Sequence, residues 1–223
     1  MDTFEKLVEQ FKKFPGIGPR QARRFAYHLL NEPEMDIEQL SGLIKNLRSG
    51  IFACENCFRY FSPKFNPVSE PGYGTENEKS LLCPICLDQN RDQSTLMLVT
   101  QDTDVYAVEQ RKMFNGLYFV IGKNAELGQM NPESIPRLQD LQNQLQSHKR
   151  AGLKEIILAM NANTEGEHTA DIIRRVLRDI KLADGASLAT QVRITALGRG
   201  LSTGTELEYS DADTLKSAIE NRR

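Results

Sequence analysis

The chain has 223 residues, with 28 lysines and arginines against 30 aspartates and glutamates, and a formal net charge of -2 at pH 7. This balance excludes a uniformly basic nucleic-acid-binding protein, although a local cationic patch is compatible with it. The sequence contains no apolar run of about 18 residues, and its amphipathic first segment is unlike a hydrophobic leader. We therefore expect a soluble cytoplasmic protein that does not interact with a membrane.

Residues 1–52 are predicted to form three helices. The first is amphipathic and extends to Lys13, the second spans 19–30, and the third runs from residue 37 to about residue 51. Pro19 suits the first turn of a helix, where its missing N–H would have no partner in any case. The first part of the chain is therefore predicted to be entirely helical.

The turn before the second helix has an unusual composition, "FPGIGPRQARRFAYHLL" over residues 14–30. Between Gln10 and Asn31 there is no acidic residue. The cations of this stretch are Lys12, Lys13, Arg20, Arg23 and Arg24. Glycines allow close approach to the backbone, and a helix start presents unpaired N–H groups, so this corner suits a phosphate. The alternative is a tight turn before a solvated basic helix.

All four cysteines lie in two pairs, "CENC" and "CPIC". Two residues separate the cysteines of each pair, so that both thiolates of a pair can reach one ion, and two pairs complete a tetrahedral zinc site. Four sulfur ligands leave no position for water, which predicts a structural Zn²⁺ site. The predicted ligands are Cys54, Cys57, Cys83 and Cys86. The alternatives are a redox dithiol or unrelated buried cysteines.

The segment 58–82 between the cysteine pairs includes the Pro/Gly-rich stretch "SPKFNPVSEPGYGTENEKS", which is typical of a mobile loop. From about residue 95, short apolar runs alternate with helical patterns. This alternation predicts a mostly parallel sheet covered by helices. The role of the loop stays open.

One strand–loop–helix segment of this β/α part, "EIILAMNANTEGEHTADIIRRVL", carries two glutamates at its centre. Glu165 and Glu167 follow the carboxyl end of the predicted strand, where open α/β sheets usually place their sites. The pair could bind Mg²⁺ through carboxylate oxygens, or it could be an acidic first turn that favours the helix dipole.

The order of these parts resembles the bacterial RecR family of recombination mediators over nearly the whole chain. The hairpin resembles the helix-hairpin-helix motif of DNA-binding proteins. The resemblance extends through the cysteine pairs, Arg91-Asp92, "DVYAVE", "EGEHTA" and "RGLSTGTELEYSDADTL". It implies an α+β fold of several parts. These are a helix-hairpin-helix domain (1–52), a four-cysteine zinc finger (53–93), a Toprim domain as in topoisomerases and primases (94–197), and a C-terminal glycine-rich segment and helix (198–223).

The resemblance also implies a function. Members of this family are DNA-binding mediators without enzymatic activity, which form a ring-shaped homotetramer and work with RecO, and in some pathways RecF, to load RecA on gapped single-stranded DNA. By matching positions, Gly16, Gly18, Arg20 and Arg24 would contact the DNA phosphate backbone, with Lys13 in the same patch. Glu165 and Glu167 would contribute to the RecO contact surface.

The sequence departs from the family pattern at three positions. Thr100 stands where the Toprim pattern has a glutamate, Phe119 where many relatives have histidine, and Ser202 where proline is frequent. The first change disfavours the alternative function, a Mg²⁺-dependent Toprim nuclease or strand-passage enzyme. A third hypothesis is an adaptor that mainly binds a protein partner, with DNA binding secondary.

Overall fold

The computed structural model describes most of the chain. The described residues are 2–62, 81–128, 130–146, 152–181, 185–198, 200–201, 204, 206–210 and 212–220. Most of the predicted mobile loop (63–80) and Ser202 lie outside these residues. The chain divides into two compact units, Met1–Ile51 and Phe52–Arg223, which we call the helical unit and the sheet unit. No helix in the described part of the chain is both long and apolar enough to cross a bilayer.

The helical unit contains three helices and a short 3₁₀ turn. They are α1 (Thr3–Phe11), α2 (Pro19–Leu30), α3 (Glu34–Asn46) and the turn Leu47–Ser49. The Asp2 carboxylate caps α1 by accepting the N–H of Glu5 at 2.8 Å. The small core joins α1 to α2. Its buried residues are Val8, Ala22 and Ala26, with Phe4, Leu7, Phe11 and Ile17 packed against them.

Helix α2 has the predicted bounds, whereas α1 and α3 differ. Helix α1 ends at Phe11 instead of Lys13, because the N–H groups of Lys13 and Phe14 bond three residues back and tighten the chain into a turn. Helix α3 begins three residues earlier than predicted, at Glu34. Its first turn carries Glu34 and Asp36, which favour the positive end of the helix dipole.

The strands of the sheet unit are β1 (Phe52–Ala53), β2 (Tyr60–Phe61), β3 (Asp92–Val99), β4 (Gly116–Val120), β5 (Glu155–Ala159) and β6 (Arg193–Ala196). Strands β1 and β2 form a short antiparallel hairpin, and the other four form a parallel sheet with strand order β4-β3-β5-β6. The helices are α4 (Pro84–Leu87), α5 (Asp102–Gln110), α6 (Leu138–Gln146), α7 (Thr164–Asp179), α8 (Leu188–Gln191) and α9 (Ala212–Glu220). The predicted α+β class with a parallel sheet is confirmed.

Both faces of the parallel sheet are buried, because alternate side chains of each strand point to opposite faces. On β3, Leu96 and Leu98 belong to the cluster that includes α6 and α7. Met97 and Val99 belong to a second cluster, together with Val105 of α5 and three of the four cysteines. The cysteine module therefore covers one face of the sheet and shares its apolar core.

A partly buried ion pair connects the start of β3 to α5 and β4. The Arg91 guanidinium donates to both carboxylate oxygens of Glu109 and to the carbonyl of Gly116, and the Tyr118 hydroxyl donates to Glu109 at 2.7 Å. Burial alone would raise the pKa of Glu109, but the hydrogen bonds and charge of Arg91 outweigh it and lower that pKa. Burial, aided by the bond to Glu109, raises the pKa of Tyr118.

Candidate nucleic-acid interface and candidate metal centre

The hairpin between α1 and α2 is a tight turn whose residues match its geometry. The N–H of Ile17 donates to the Phe14 carbonyl at 3.1 Å, which places Pro15 and Gly16 at the two central positions. Gly16 has a φ of 77°, so the turn needs proline's fixed φ first and a left-handed glycine second. Residues 14–17 therefore form a turn of the type II pattern.

The hairpin leaves backbone groups and space unused. Gly18 is the N-cap of α2 and has no side chain to bind the first amides, while Pro19 has no N–H. The first helical bond runs from the Ala22 N–H to the Gly18 carbonyl at 3.0 Å, which leaves the amides of the two preceding residues without an intrahelical partner. A Cβ on Gly16 or Gly18 would meet no described atom within 4 Å. Glycine at 18 is thus not required by contacts within the described chain.

The cations of the hairpin differ in their partners. Arg23 pairs with Glu5 at 2.9 Å, and Lys13 donates to the side-chain oxygen of Gln10 at 3.0 Å. Arg20 and Arg24 are exposed, and no carboxylate of the described residues pairs with either of them. They lie four residues apart and share a face of α2. The structure places all five residues of the predicted DNA site at the surface, in the segment 13–24.

The four cysteine sulfurs all lie within 4.8 Å of one another, so they can bind one metal ion. Cys54 and Cys57 lie in the loop between β1 and β2, Cys83 caps the start of α4, and Cys86 lies within that helix. The Cys57 and Cys83 sulfurs are 3.6 Å apart, and the Cys83 N–H donates to the Cys54 sulfur at 3.3 Å. Three of the cysteines are buried and Cys86 is half-buried.

The chemistry of this donor set fits a thiophilic cation. Hydrogen bonds from Cys57, Cys83 and Cys86 lower the pKa of Cys54. The hydrogen bonds that Cys57 and Cys86 make to Cys54 raise the pKa of those two thiols. A metal ion binds the thiolate form of cysteine and releases the thiol protons, and a tetrahedral set of four sulfurs is typical of structural zinc or of iron–sulfur chemistry.

Further side chains, which the sequence analysis did not identify, hold the cysteine loop against the sheet. The N–H of Val120, at the end of β4, donates to the Cys57 carbonyl at 2.9 Å. Arg137 donates to the carbonyls of Phe58 and Val120 at 3.0 and 3.1 Å and stacks on the Phe58 ring. Gln144 of α6 donates to the Asn56 carbonyl at 3.0 Å. No local pattern indicates these contacts, since the partners lie far apart in the sequence.

Glu165 and Glu167 lie in the first turn of α7, after the carboxyl end of β5 as predicted. Between them, Gly166 is buried, and its N–H donates to the Asn163 side chain at 2.8 Å. Residues two apart on a helix do not face each other. Glu165 accordingly lines one cleft with Thr100, Lys123 and Asn124. Glu167 lines another, of about 430 Å³, with Met160, Arg174 and Gly198.

Two of the positions that depart from the family pattern lie in the described part of the sheet unit, and both are internal. Thr100 is 2% exposed, and its hydroxyl donates to the Asn124 side chain at 3.3 Å. Phe119 is fully buried in β4 and packs edge-on against Phe58 at a centroid distance of 5.3 Å. Phe119 therefore fills the core instead of facing a partner. In the described part of the chain, the cysteines are the one group of three or more His, Cys, Asp or Glu placed to hold a metal.

Three family models match the chain. They are RecR, helix-hairpin-helix over residues 4–48, the Toprim domain over 94–192, and RecR, C-terminal over 200–223. Curated relatives named "Recombination protein RecR" match nearly all of it. The protein of Staphylococcus saprophyticus is 35% identical over 222 residues, and that of Staphylococcus haemolyticus is 35% identical over 224 residues. The protein of Staphylococcus aureus (strain Newman) is 34% identical over 222 residues. Each alignment covers 99% of this chain and 96% of the relative. The predicted resemblance is confirmed, and the chain belongs to the RecR family.

Proposed function

We propose that this protein is a recombination mediator in DNA repair that binds the DNA phosphate backbone without catalysing a reaction. The observation that carries the proposal is the hairpin, where no contact of the described residues requires a glycine at 18 and no described carboxylate pairs with Arg20 or Arg24. Backbone amides and arginines recognise phosphate without reading base sequence. Gly16, Gly18 and Lys13 complete the proposed DNA site.

The proposed assembly is a ring-shaped homotetramer. A single patch of a few cations binds DNA weakly and loses affinity as salt rises. Several patches that face one channel strengthen binding through effective concentration. Helix α3 supports self-association, because none of its 13 residues is buried while its apolar side chains recur at helical spacing. A second copy of the chain could cover this stripe, which contains Ile37, Leu40, Leu43, Ile44 and Leu47.

The remaining parts are proposed to scaffold this site and to bind protein partners in the cytoplasm. The proposed division of the chain is 1–52, which contains the DNA site, followed by 53–93, 94–197 and 198–223. The four cysteines would hold Zn²⁺, which supplies structural crosslinking and no reaction chemistry. Glu165 and Glu167, both exposed beside clefts, would contact RecO, with RecF as a further partner in RecA loading on gapped DNA.

The DNA site is tested by replacing its arginines in the full-length protein. We expect Arg20→Ala with Arg24→Ala to weaken duplex binding by at least tenfold at physiological salt. The slope of log affinity against log salt concentration is negative, and it should become shallower by about 2 for each subunit that contacts DNA, because two phosphate contacts are lost. Fluorescence anisotropy across a salt series measures both quantities, and light scattering should show unchanged assembly.

The matched control is Arg174→Ala with Arg193→Ala, which removes the same charge from two surface ion pairs of the sheet unit. Unchanged affinity in the hairpin variant, or an equal loss in the control, would contradict the proposed site. The same preparations, incubated with labelled DNA and Mg²⁺, should produce no cleavage. Cleavage that disappears in Glu165→Gln would establish the enzymatic alternative.

A further inference from the structure

Residue Phe14 is 59% exposed, although hydrogen bonds fix its backbone in the hairpin turn. The Phe14 N–H donates to the Phe11 carbonyl, and the Phe14 carbonyl accepts the N–H of Ile17, each at 3.1 Å. The ring centroid lies 6.3 Å from that of Phe11, which in turn lies 5.8 Å from Phe25 of α2. A rigid turn therefore holds an aromatic ring in solvent at the start of the hairpin.

The core of the helical unit does not account for this ring. The buried residues are Val8, Ala22 and Ala26, and the side chains packed against them include Phe11 but not Phe14. A single exposed apolar side chain is common on protein surfaces, so its surroundings decide whether a ligand can use it. The exposed ring is therefore available to contact a ligand of the proposed binding site.

The charge around the ring favours a polyanion as that partner. Lys13, whose ammonium donates to the neutral Gln10, precedes Phe14 directly, and the open amides of α2 follow it. Glu9 pairs with Lys12 at 2.8 Å, but residues 11–30 contain no carboxylate. An aromatic ring adjoining a phosphate-binding backbone is the combination that single-stranded nucleic acids use, since bases stack on the ring while cations follow the phosphates. In a duplex the base faces are covered by neighbouring pairs, so only unpaired nucleotides can use the ring.

We propose that Phe14 is a base-stacking residue that gives the hairpin a preference for unpaired nucleotides. The proposal rests on DNA binding by the hairpin and adds the form of DNA that the site selects. Stacking is tolerant of base identity, because every base has a π-face. The preference is therefore for single-stranded DNA of any sequence.

Three ligands of equal length separate stacking from phosphate binding: oligo(dT), a fully abasic strand and a duplex. We expect wild type to bind oligo(dT) more tightly than the abasic strand. Phe14→Leu keeps an apolar side chain but removes the π-face, and should lower oligo(dT) affinity about tenfold while changing abasic and duplex affinity less than about twofold. Phe14→Tyr should retain wild-type affinity.

The chain contains no tryptophan, so Phe14→Trp introduces a single fluorescent reporter at the site. Oligo(dT) should quench this fluorescence and the abasic strand should not, because quenching requires a stacked base. Tyr27→Trp is the matched control, since Tyr27 is also 57% exposed but its ring packs on Phe4. Its fluorescence should change little with either strand.

Two outcomes would overturn the proposal. Phe14→Leu could bind oligo(dT) as wild type does, or it could lose affinity for all three ligands equally, as an apolar packing role or a protein-docking role would produce. If the paired Arg20 and Arg24 replacement abolishes binding while Phe14→Leu has no effect, stacking fails and the proposed function stands. If neither replacement alters binding to any ligand, both proposals fail.

Discussion

In the helical unit a Cβ on Gly18 would meet open space, whereas in the sheet unit a Cβ on Gly166 would lie 2.0 Å from the Asn161 carbonyl oxygen. Gly166 is required by the fold, since the loop after β5 crosses directly over it. Gly18 has a φ of -80°, which any residue adopts, so neither strain nor crowding explains it. Both glycines belong to sequence motifs, but only Gly166 is required by the packing of the chain around it.

The arginines of the two units differ in the same way. Arg91 is held by Glu109 and the Gly116 carbonyl and its side chain is only 12% exposed, while Arg20 and Arg24 extend into solvent. A motif residue whose hydrogen bonds and surroundings are supplied by its own chain has a structural role. One that is left open is available to a ligand. This comparison separates the candidate interface from the scaffold without reference to the reaction or partner.

The strongest test of the comparison is removal of the Zn²⁺ that we propose at the four cysteines, which should affect the sheet unit alone. The cysteines share an apolar cluster with β3 and β4, and Val120 bonds directly to Cys57. Structural zinc sites contribute on the order of 10 kcal/mol to folding. We expect chelation to abolish the protection of β4 amides against hydrogen exchange, with little change in α2. Hydrogen exchange followed by mass spectrometry measures both regions in one sample.

Returning Zn²⁺ to the chelated protein should restore β4 protection, and Mg²⁺ should not, because a set of four thiolates binds a soft cation. Full protection of β4 after verified loss of metal would show that the cysteine module is independent of the sheet. Equal loss of protection in α2 would contradict the separation into two units.

The second test replaces one glycine in each unit by alanine. Gly166→Ala forces a methyl group against the backbone of Asn161, and should lower the free energy of unfolding by about 2–3 kcal/mol through overpacking. Gly18→Ala should lower it by less than about 1 kcal/mol, since nothing in the described chain opposes the methyl group and the remaining cost is that alanine is a poorer N-cap residue than glycine. Urea unfolding followed by circular dichroism gives both values. Similar losses in the two variants would refute the distinction drawn between these glycines.

Much of this arrangement could be predicted from local sequence. Helix α2 begins at Pro19 as its residues indicate, the cysteine spacing brings four sulfurs together, and Glu165 and Glu167 lie in the first turn of a helix. Each of these predictions depends on residues close together in the chain, where periodicity and spacing act directly.

The remaining features depend on residues that meet only after folding. Arg137 bonds to the Phe58 carbonyl across 79 positions of sequence, and nothing near either residue indicates the contact. The different directions of Glu165 and Glu167 follow from helix geometry, but the two clefts they line are formed by other elements. Thr100 marked the loss of a carboxylate, while its burial against Asn124 became evident only from the packed sheet.

The smallest expected effect comes from Gly18→Ser, which tests whether the open space belongs to a ligand. Serine is a favoured N-cap residue, because its hydroxyl oxygen accepts a hydrogen bond from a backbone N–H of the first helical turn. The free energy of unfolding should therefore rise by about 0.3 kcal/mol. The same hydroxyl would then bond to an amide that we propose binds a DNA phosphate, and would fill the space where that phosphate lies. We expect affinity for duplex DNA to fall about three- to tenfold, the equivalent of one weakened hydrogen bond.

Gly50→Ser is the matched control, since a Cβ there also meets no described atom within 4 Å, but the residue lies after the 3₁₀ turn that follows α3. Anisotropy titrations and thermal melts of both variants measure binding and stability separately. Weaker DNA binding by a variant that is no less stable would assign Gly18 to ligand binding, because replacing a glycine that only the fold requires would lower the stability. Unchanged binding by Gly18→Ser would place the DNA away from the start of α2.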